Sequence, residues 1–309
     1  MTSPPDLARR QHYGDFYRIR TTPRDADRPF VTVLGNCQAE SLRILLDSSG
    51  RVDSFRIPAV HEFTAEDAEL LRGILARTDV LVSQPIRDDY RGLPLGTAQL
   101  AELLPPGART VTFPVLRWDG LMPYHAIVRD PADPSLTPPV VPYHDLRILV
   151  AASRGLDRPV ETQPSAAALR TAAGLSVGQL RTREQHHGTV AVSDVLETAP
   201  VWHTINHPSN ATLAALAQRV LDAVVAGGTV IAPADREMLG GLSAPVDPGA
   251  AAALGVDVAG REQWRAGGVP VDPELLVREQ LEFYRRHPGV VEAGMARHAE
   301  RIELLGLDR

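Results

Sequence analysis

The chain holds one cysteine, Cys37, set in Gly35-Asn36-Cys37-Gln38 directly after the apolar run Phe30-Val31-Thr32-Val33-Leu34. From Cys37 to Leu46 the apolar spacing turns helical, with Leu42, Leu45 and Leu46 on one face. A thiol at the first residue of a helix meets unpaired backbone N–H groups and the positive end of the helix dipole, and both favour thiolate. The spacing therefore predicts a nucleophile active at neutral pH. The same N–H groups, with Asn36 and Gln38 beside them, can donate to the oxygen of a tetrahedral intermediate, each such donor contributing about 10² to 10³ in rate. The plainer alternatives are a small buried apolar residue at 37 and turn or cap residues at 36 and 38.

A cysteine nucleophile in acyl transfer wants a histidine to move protons between incoming and leaving groups. Of the ten histidines, His207 stands out: it follows the strand-like run Val201–Asn206, precedes Pro208 and opens an apolar helix. His203 and His207 share the i, i+4 spacing of metal sites on helices, but Thr204 and Ile205 favour strand and no carboxylate lies between them. No metal is expected. His125, His144, His186, His187 and His203 are read as structural. Gln84 follows Val80-Leu81-Val82-Ser83 and precedes Pro85, so its amide is a candidate for the same oxyanion, with Ser83 as competitor.

These residues need elements to hold them. Strands are expected at Phe30–Leu34, Val52–Val60, Asp79–Ser83 and Thr110–Val115, with helices from Cys37, over Thr64–Ala76 behind a Thr64/Asp67 capping box, and over Leu95–Leu104. Strands alternating with helices imply a mostly parallel sheet covered on both faces, with active groups beyond its carboxyl ends. Gly35–Cys37 and Gln84 both occupy such ends. The Pro- and aromatic-rich stretch 114–143 is expected as a long, ordered loop or lid over the sheet edge, 145–200 as mainly helical, and Ala211–Val225 as a helix capped by Ser209 or Asn210. After a Gly/Pro/Ala-rich stretch, two helices close the chain, the first opened by Asp272 and Pro273.

Composition narrows the classes. A chain of 309 residues with 44% hydrophobic content can bury a core without disulfide or metal. One unpaired cysteine suits a reducing compartment, so a cytoplasmic location is expected. No apolar run reaches the length of a membrane span and no secretory leader is seen. A net charge of -6 gives no basic field for nucleic acid. All 32 Lys+Arg cations are arginine, which removes Schiff-base and P-loop lysine chemistry.

Taken in order, Gly35-Asn36-Cys37-Gln38, Ser83-Gln84-Pro85, Phe113-Pro114, Tyr143-His144-Asp145, Arg183-Glu184 and Asn206-His207-Pro208-Ser209 resemble the WcbI-type polysaccharide biosynthesis enzymes. The resemblance spans about residues 30–226, leaving an N-terminal arm (1–29) and a helical C-terminal extension (227–309). It implies an α/β fold, an SGNH/flavodoxin-like three-layer sandwich with a mostly parallel central sheet, in which Gly-Asn-Cys replaces the hydrolases' Gly-Asp-Ser. Cys37 then matches the nucleophile, His207 the base, and Asn36, Gln38 and Gln84 the neighbouring polar positions. An SGNH pattern places Asp three residues before its histidine; Thr204 stands there, leaving a Cys-His dyad.

The family's link to coenzyme A implies a coenzyme A thioester as co-substrate, with no tightly bound cofactor, and an acyl donor on coenzyme A or an acyl carrier protein. The acceptor is a hydroxyl or amine of a sugar or a small molecule. The phosphates would need arginines, and Arg87, Arg117 and Arg183 lie nearest the motifs in sequence. Two rivals use the same residues: a thioesterase or esterase, and a non-catalytic coenzyme A or nucleotide-binding protein. A homodimer through the tail is compatible with either.

Overall fold

Val31, Thr32, Val33 and Leu34 are β-branched or apolar and buried without exception, as a strand covered on both faces requires. The computed structural model describes residues 4–309, with side chains from Leu7 onward. In chain order its elements are α1 (Pro4–His12), β1 (Val31–Leu34), α2 (Cys37–Ser48), α3 (Ala65–Leu75), β2 (Val80–Ser83), α4 (Thr97–Ala101), β3 (Arg109–Thr112), β4 (His125–Ala126), β5 (His144–Asp145), α5 (Leu146–Ser153), α6 (Ala166–His187), α7 (Ser193–Leu196), α8 (Asn210–Val224), β6 (Leu242–Ser243), α9 (Pro248–Leu254), β7 (Arg265–Ala266), β8 (Val269–Pro270), α10 (Pro273–Arg286), α11 (Pro288–Arg297) and α12 (Ala299–Leu304). They form two compact units whose segments interleave along the chain. The first unit comprises 1–116, 180–195 and 209–239, and the second 117–179, 196–208 and 240–309.

The first unit is a mixed α/β body around a parallel sheet of order β1-β2-β3, with Val31 opposite Val80 and Val80 opposite Arg109. The expected strand at 52–60 does not form. It makes one parallel bridge, Phe30 to Asp53, on the free edge of β1, where Val31 N–H donates to Asp53 O at 2.8 Å. Beyond it Pro58 has no N–H to offer a ladder, and the chain turns into a short 3₁₀ helix at Val60–Glu62. The spatial order is therefore the Asp53 segment, β1, β2, β3. Sequence moves outward from β1 in both directions, so the crevice between the carboxyl ends of β1 and β2 is a topological switch point.

Helix α2 buries Leu42, Leu45 and Leu46 completely and packs on β1 and on the apolar face of α8. The Thr64/Asp67 capping box opens α3 as expected. Within the arm, Tyr13, Phe16 and Tyr17 join the core, Phe16 meeting Phe63 edge-on at 5.8 Å; residues 1–3 lie outside the described range. Helix α4 is shorter than the 95–104 expected, because Gly96 with Gln99 sets its start. Helix α8 begins at Asn210, one residue before the expected Ala211, with Ser209 at its cap position.

In the second unit α5 packs against α10 and α11, and β6-β7-β8 make a small antiparallel sheet. Asp272 caps α10 and Pro273 begins it, as the sequence indicates, but three helices close the chain rather than two. One expectation is corrected here. Residues 201–206 form no strand: Thr204 and His207 bridge each other across a tight turn, with His207 N–H donating to Thr204 O at 3.2 Å. The 114–143 stretch, expected as a long ordered loop or lid, has little regular structure and is largely packed inward. Phe113, Leu116, Trp118, Leu121, Met122, Tyr124 and Tyr143 are buried, and Trp118 Nε1–H donates to Pro200 O at 3.1 Å. Aromatic side chains of that size are drawn to the interior by their apolar area.

Candidate functional site

In the first unit the end of β1 and the end of β2 are tied together by side-chain amides. Gln84 Oε1 accepts from Asn36 N–H at 2.8 Å, and Gln84 Nε2 donates to Gln38 Oε1 at 3.2 Å. Gln38 closes the lattice on the chain after β3, donating to Leu116 O at 2.9 Å and accepting from Leu116 N–H at 3.0 Å. Gln38 and Gln84 are 1% and 3% exposed, so these bonds replace water outright. Gly35 is required by the same packing: a Cβ there would sit 2.6 Å from Gln84 Oε1. Asn36 is the N-cap of α2, its Oδ1 accepting from Gln38 N–H at 2.9 Å. The amides expected to face an oxyanion are thus engaged in holding the turn.

Cys37 is the first residue of α2, half-buried, on a cleft of about 830 Å³ contained within this unit. Burial pushes its thiol up, above the ordinary value, while the N–H groups of Cys37 and Gln38 pull it down by less. The expectation of a thiolate made by the helix start alone is corrected: desolvation of the charged form outweighs two backbone donors.

Glu40, Ser41, Ile44 and Asp47 line the cleft below Cys37, the i+3, i+4, i+7 and i+10 positions of one helical face. The opposite wall is Phe55–Ala59, His61 and Glu62, with Tyr13, Asp15 and Arg20 from the arm and Arg236, Met238 and Leu239 from beyond α8. Four arginines line it. Arg20 pairs with Asp15 at 2.7 Å and Arg43 with Glu40 at 2.8 Å. Arg56 lies over the Tyr13 ring at 5.4 Å and 3.7 Å from Glu40 through Nε, and Arg236 is exposed without a carboxylate within 4 Å among the described residues. None of these was singled out in sequence, since only the fold brings them to Cys37.

The other expected residues lie elsewhere. Arg87 is exposed in the turn after Pro85, and Arg183 is on α6 next to the buried Glu184, which accepts from Val192 and Ser193 N–H; neither lines the cleft. His207 and Arg117 belong to the second unit. There the His207 turn is fastened by Tyr143, whose hydroxyl donates to Asn206 Oδ1 at 2.7 Å and lies 2.8 Å from Thr204 Oγ1, while its ring meets His207 edge-on at 6.5 Å. His144 bonds Tyr284 through Nδ1 at 2.8 Å and His125 stacks on Trp264 at 4.9 Å; burial holds both near pKa 4, as structural histidines. No metal-binding group of three His, Cys, Asp or Glu occurs among the described residues, and no helix there is long and apolar enough to cross a membrane.

Comparison with known proteins gives two findings. The model of the family described as polysaccharide biosynthesis enzyme WcbI matches residues 30–228. A solved structure shares the fold at TM-score 0.74 and 20% identity, covering 91% of this chain and 98% of its own. That structure is described as WcbI, a novel polysaccharide biosynthesis enzyme, in a native form without a disulfide bond between coenzyme A and one of its cysteines. No match was found among curated proteins.

Proposed function

The chain belongs to the WcbI family of polysaccharide biosynthesis enzymes, and from that premise we propose that it transfers an acyl group from a thioester, on coenzyme A or a carrier protein, to a hydroxyl or amine of a sugar or small-molecule acceptor. The observation that carries this reading is the placement of Cys37: a half-buried thiol at a helix start and a sheet switch point, opening on a cleft large enough for a nucleotide-bearing donor. The order of the Asp53 segment, β1, β2 and β3 also favours an SGNH/flavodoxin-like arrangement. The coenzyme A named with the WcbI structure supports coenzyme A as the donor carrier here, with Cys37 facing its thioester.

In this mechanism the Cys37 thiol gives its proton to an imidazole as Sγ attacks the thioester carbonyl carbon. The carbon–sulfur bond to the carrier breaks, and the leaving thiolate takes that proton. The acceptor O–H or N–H then loses its proton to the same imidazole, attacks the acyl-cysteine, and frees Cys37 as the thiol. Because burial raises the thiol, a base is needed at neutral pH. The likeness of Asn206-His207-Pro208-Ser209 to the family motif supports His207 in that role. Gln84 and Gln38 act by positioning the Asn36–Cys37 turn, and the oxyanion is held by helix-start N–H groups. Arg56 and Arg236 are the cleft cations suited to donor phosphates.

His61 is the rival base, since it lines the same cleft as Cys37. Release of free coenzyme A from acyl-coenzyme A, followed with and without sugar acceptors, separates transfer from hydrolysis. Loss of release in Cys37→Ser and His207→Ala, with His61→Ala active, supports the assignment. Activity in Cys37→Ser at the wild-type rate rejects it.

A further inference from the structure

Between α8 and the end of the first unit, residues 226–239 form no helix or strand, yet Arg236, Met238 and Leu239 of this segment wall the Cys37 cleft. Its cleft-lining part lies beyond residue 228, where the family match ends. Backbone groups outside regular elements must find side chains or water to bond. Val230 N–H donates to Gln218 Oε1 at 3.0 Å and Ile231 N–H to Ser48 Oγ at 2.8 Å, which fasten the segment to α8 and α2. Around Arg236 a single residue does the fastening: Asn210, the first of α8.

Asn210 is 7% exposed, and its carboxamide is used at both ends. Nδ2 donates to Arg236 O at 2.8 Å and to Pro233 O at 3.4 Å, while Oδ1 accepts from Met238 N–H at 2.9 Å. Its own N–H, a helix-start donor with no acceptor inside α8, donates to Glu237 Oε2 at 3.1 Å. Ser209, at the cap position, makes no side-chain cap bond. Three consecutive residues, Arg236, Glu237 and Met238, are thus bound to Asn210. Leu239 follows at φ 59°, a left-handed conformation that a leucine keeps only where its surroundings impose it. The Arg236 side chain is left exposed on the cleft, without a carboxylate within 4 Å among the described residues. A cation whose backbone is already fixed loses less freedom when it binds an anion.

We propose that Asn210 is a positioning residue for the donor: its clamp fixes the 233–239 segment and so holds Arg236 where the phosphates of a coenzyme A thioester bind. Asn210 does not itself line the cleft, and its role rests on the reading of that cleft as a coenzyme A site. An amide suits the position because the three bonds need a donor and an acceptor on one side chain. Asn210→Asp keeps an acceptor for Met238 N–H but sets a carboxylate oxygen against Arg236 O.

The test is a calorimetric titration of the full chain with coenzyme A under reducing conditions, in the wild type, Arg236→Gln, Asn210→Asp and the double variant. Arg236→Gln should weaken binding about tenfold or more, as for a lost charge-assisted bond. Asn210→Asp should weaken it about three- to tenfold, the effect of ordering a long side chain that the clamp no longer holds. The double variant should bind no more weakly than Arg236→Gln alone, because one residue acts through the other. A merely structural role lowers the urea midpoint and weakens binding in the Arg236→Gln background as well. Losses that multiply in the double variant therefore overturn the positioning role. Wild-type affinity in Asn210→Asp beside a weakened Arg236→Gln overturns it too, and leaves the coenzyme A reading intact. Wild-type affinity in Arg236→Gln, or no binding of coenzyme A by the wild type, removes that reading and the role with it. Independently of any ligand, hydrogen exchange over 233–239 should quicken about tenfold in Asn210→Ala, which frees Met238 N–H; unchanged exchange contradicts the clamp.

Discussion

Replacing Gln84 with alanine tests whether the amide lattice, rather than the helix alone, holds the nucleophile turn. The side chain is 3% exposed and makes two bonds, from Asn36 N–H and to Gln38 Oε1. Its loss leaves Asn36 N–H without its acceptor, at about 1–3 kcal/mol, whereas Gln38 Oε1 keeps Leu116 N–H and costs little. The void left by three missing heavy groups adds about 1–2 kcal/mol if it does not collapse. The expected loss is therefore about 2–5 kcal/mol, read as a lower urea midpoint at unchanged m-value. Gln84→Glu separates the two bonds: it keeps an acceptor for Asn36 N–H but sets a carboxylate oxygen against Gln38 Oε1. Its destabilisation should shrink as pH falls and the carboxyl gains a proton to donate. Alkylation of Cys37 by iodoacetamide, followed in parallel, should speed up in Gln84→Ala as the turn loosens. A loss below about 0.5 kcal/mol with unchanged alkylation would refute the lattice argument, since surface-like substitutions fall in that range.

Other consequences follow from the same structure. Alkylation of Cys37 in the wild type should inflect above the ordinary thiol range, because burial raises the pKa; an inflection near or below about 8.5 would contradict this. His125 and His144, held at about 4 against 6.5 unfolded, take up protons in the unfolded state first. Stability is thus full above 6.5 and falls as pH drops toward 4, by about 2 kcal/mol per histidine between pH 7 and 5; a flat urea midpoint over that range would count against both. Arg236→Gln and Arg56→Gln should raise KM for an acyl-coenzyme A donor severalfold with little change in kcat, as expected of groups that bind phosphate away from the reacting carbon; an effect on kcat alone would place them elsewhere.

Local signals in the sequence were followed closely by the chain. The strand–turn–helix at 30–48, the Thr64/Asp67 box and the Asp272-Pro273 helix start each depend on neighbours within a turn or two, and each formed. The 52–60 and 201–206 segments carried strand-like composition but lacked partners: a ladder needs an adjacent strand, and sequence does not show that Asp53 meets β1 for a single bridge or that Thr204 turns back on His207. The same distinction holds at the site. Gly35, Asn36, Cys37, Gln38 and Gln84 were legible because strand ends converge at a switch point. Arg236 and Tyr13 were not, because they reach the cleft from about 200 residues downstream and from the arm. The direction of the Cys37 shift was misjudged for the same reason: a helix start is local and readable, whereas burial is set by the whole of the packing.

The central claim is that Cys37 carries an acyl group. Intact-protein mass spectrometry after mixing the enzyme with a panel of acyl-coenzyme A donors measures this directly, with Cys37→Ala as control. The account predicts a mass gain of one acyl group that is absent from the control and discharged by the acceptor; full donor turnover in Cys37→Ala would contradict it.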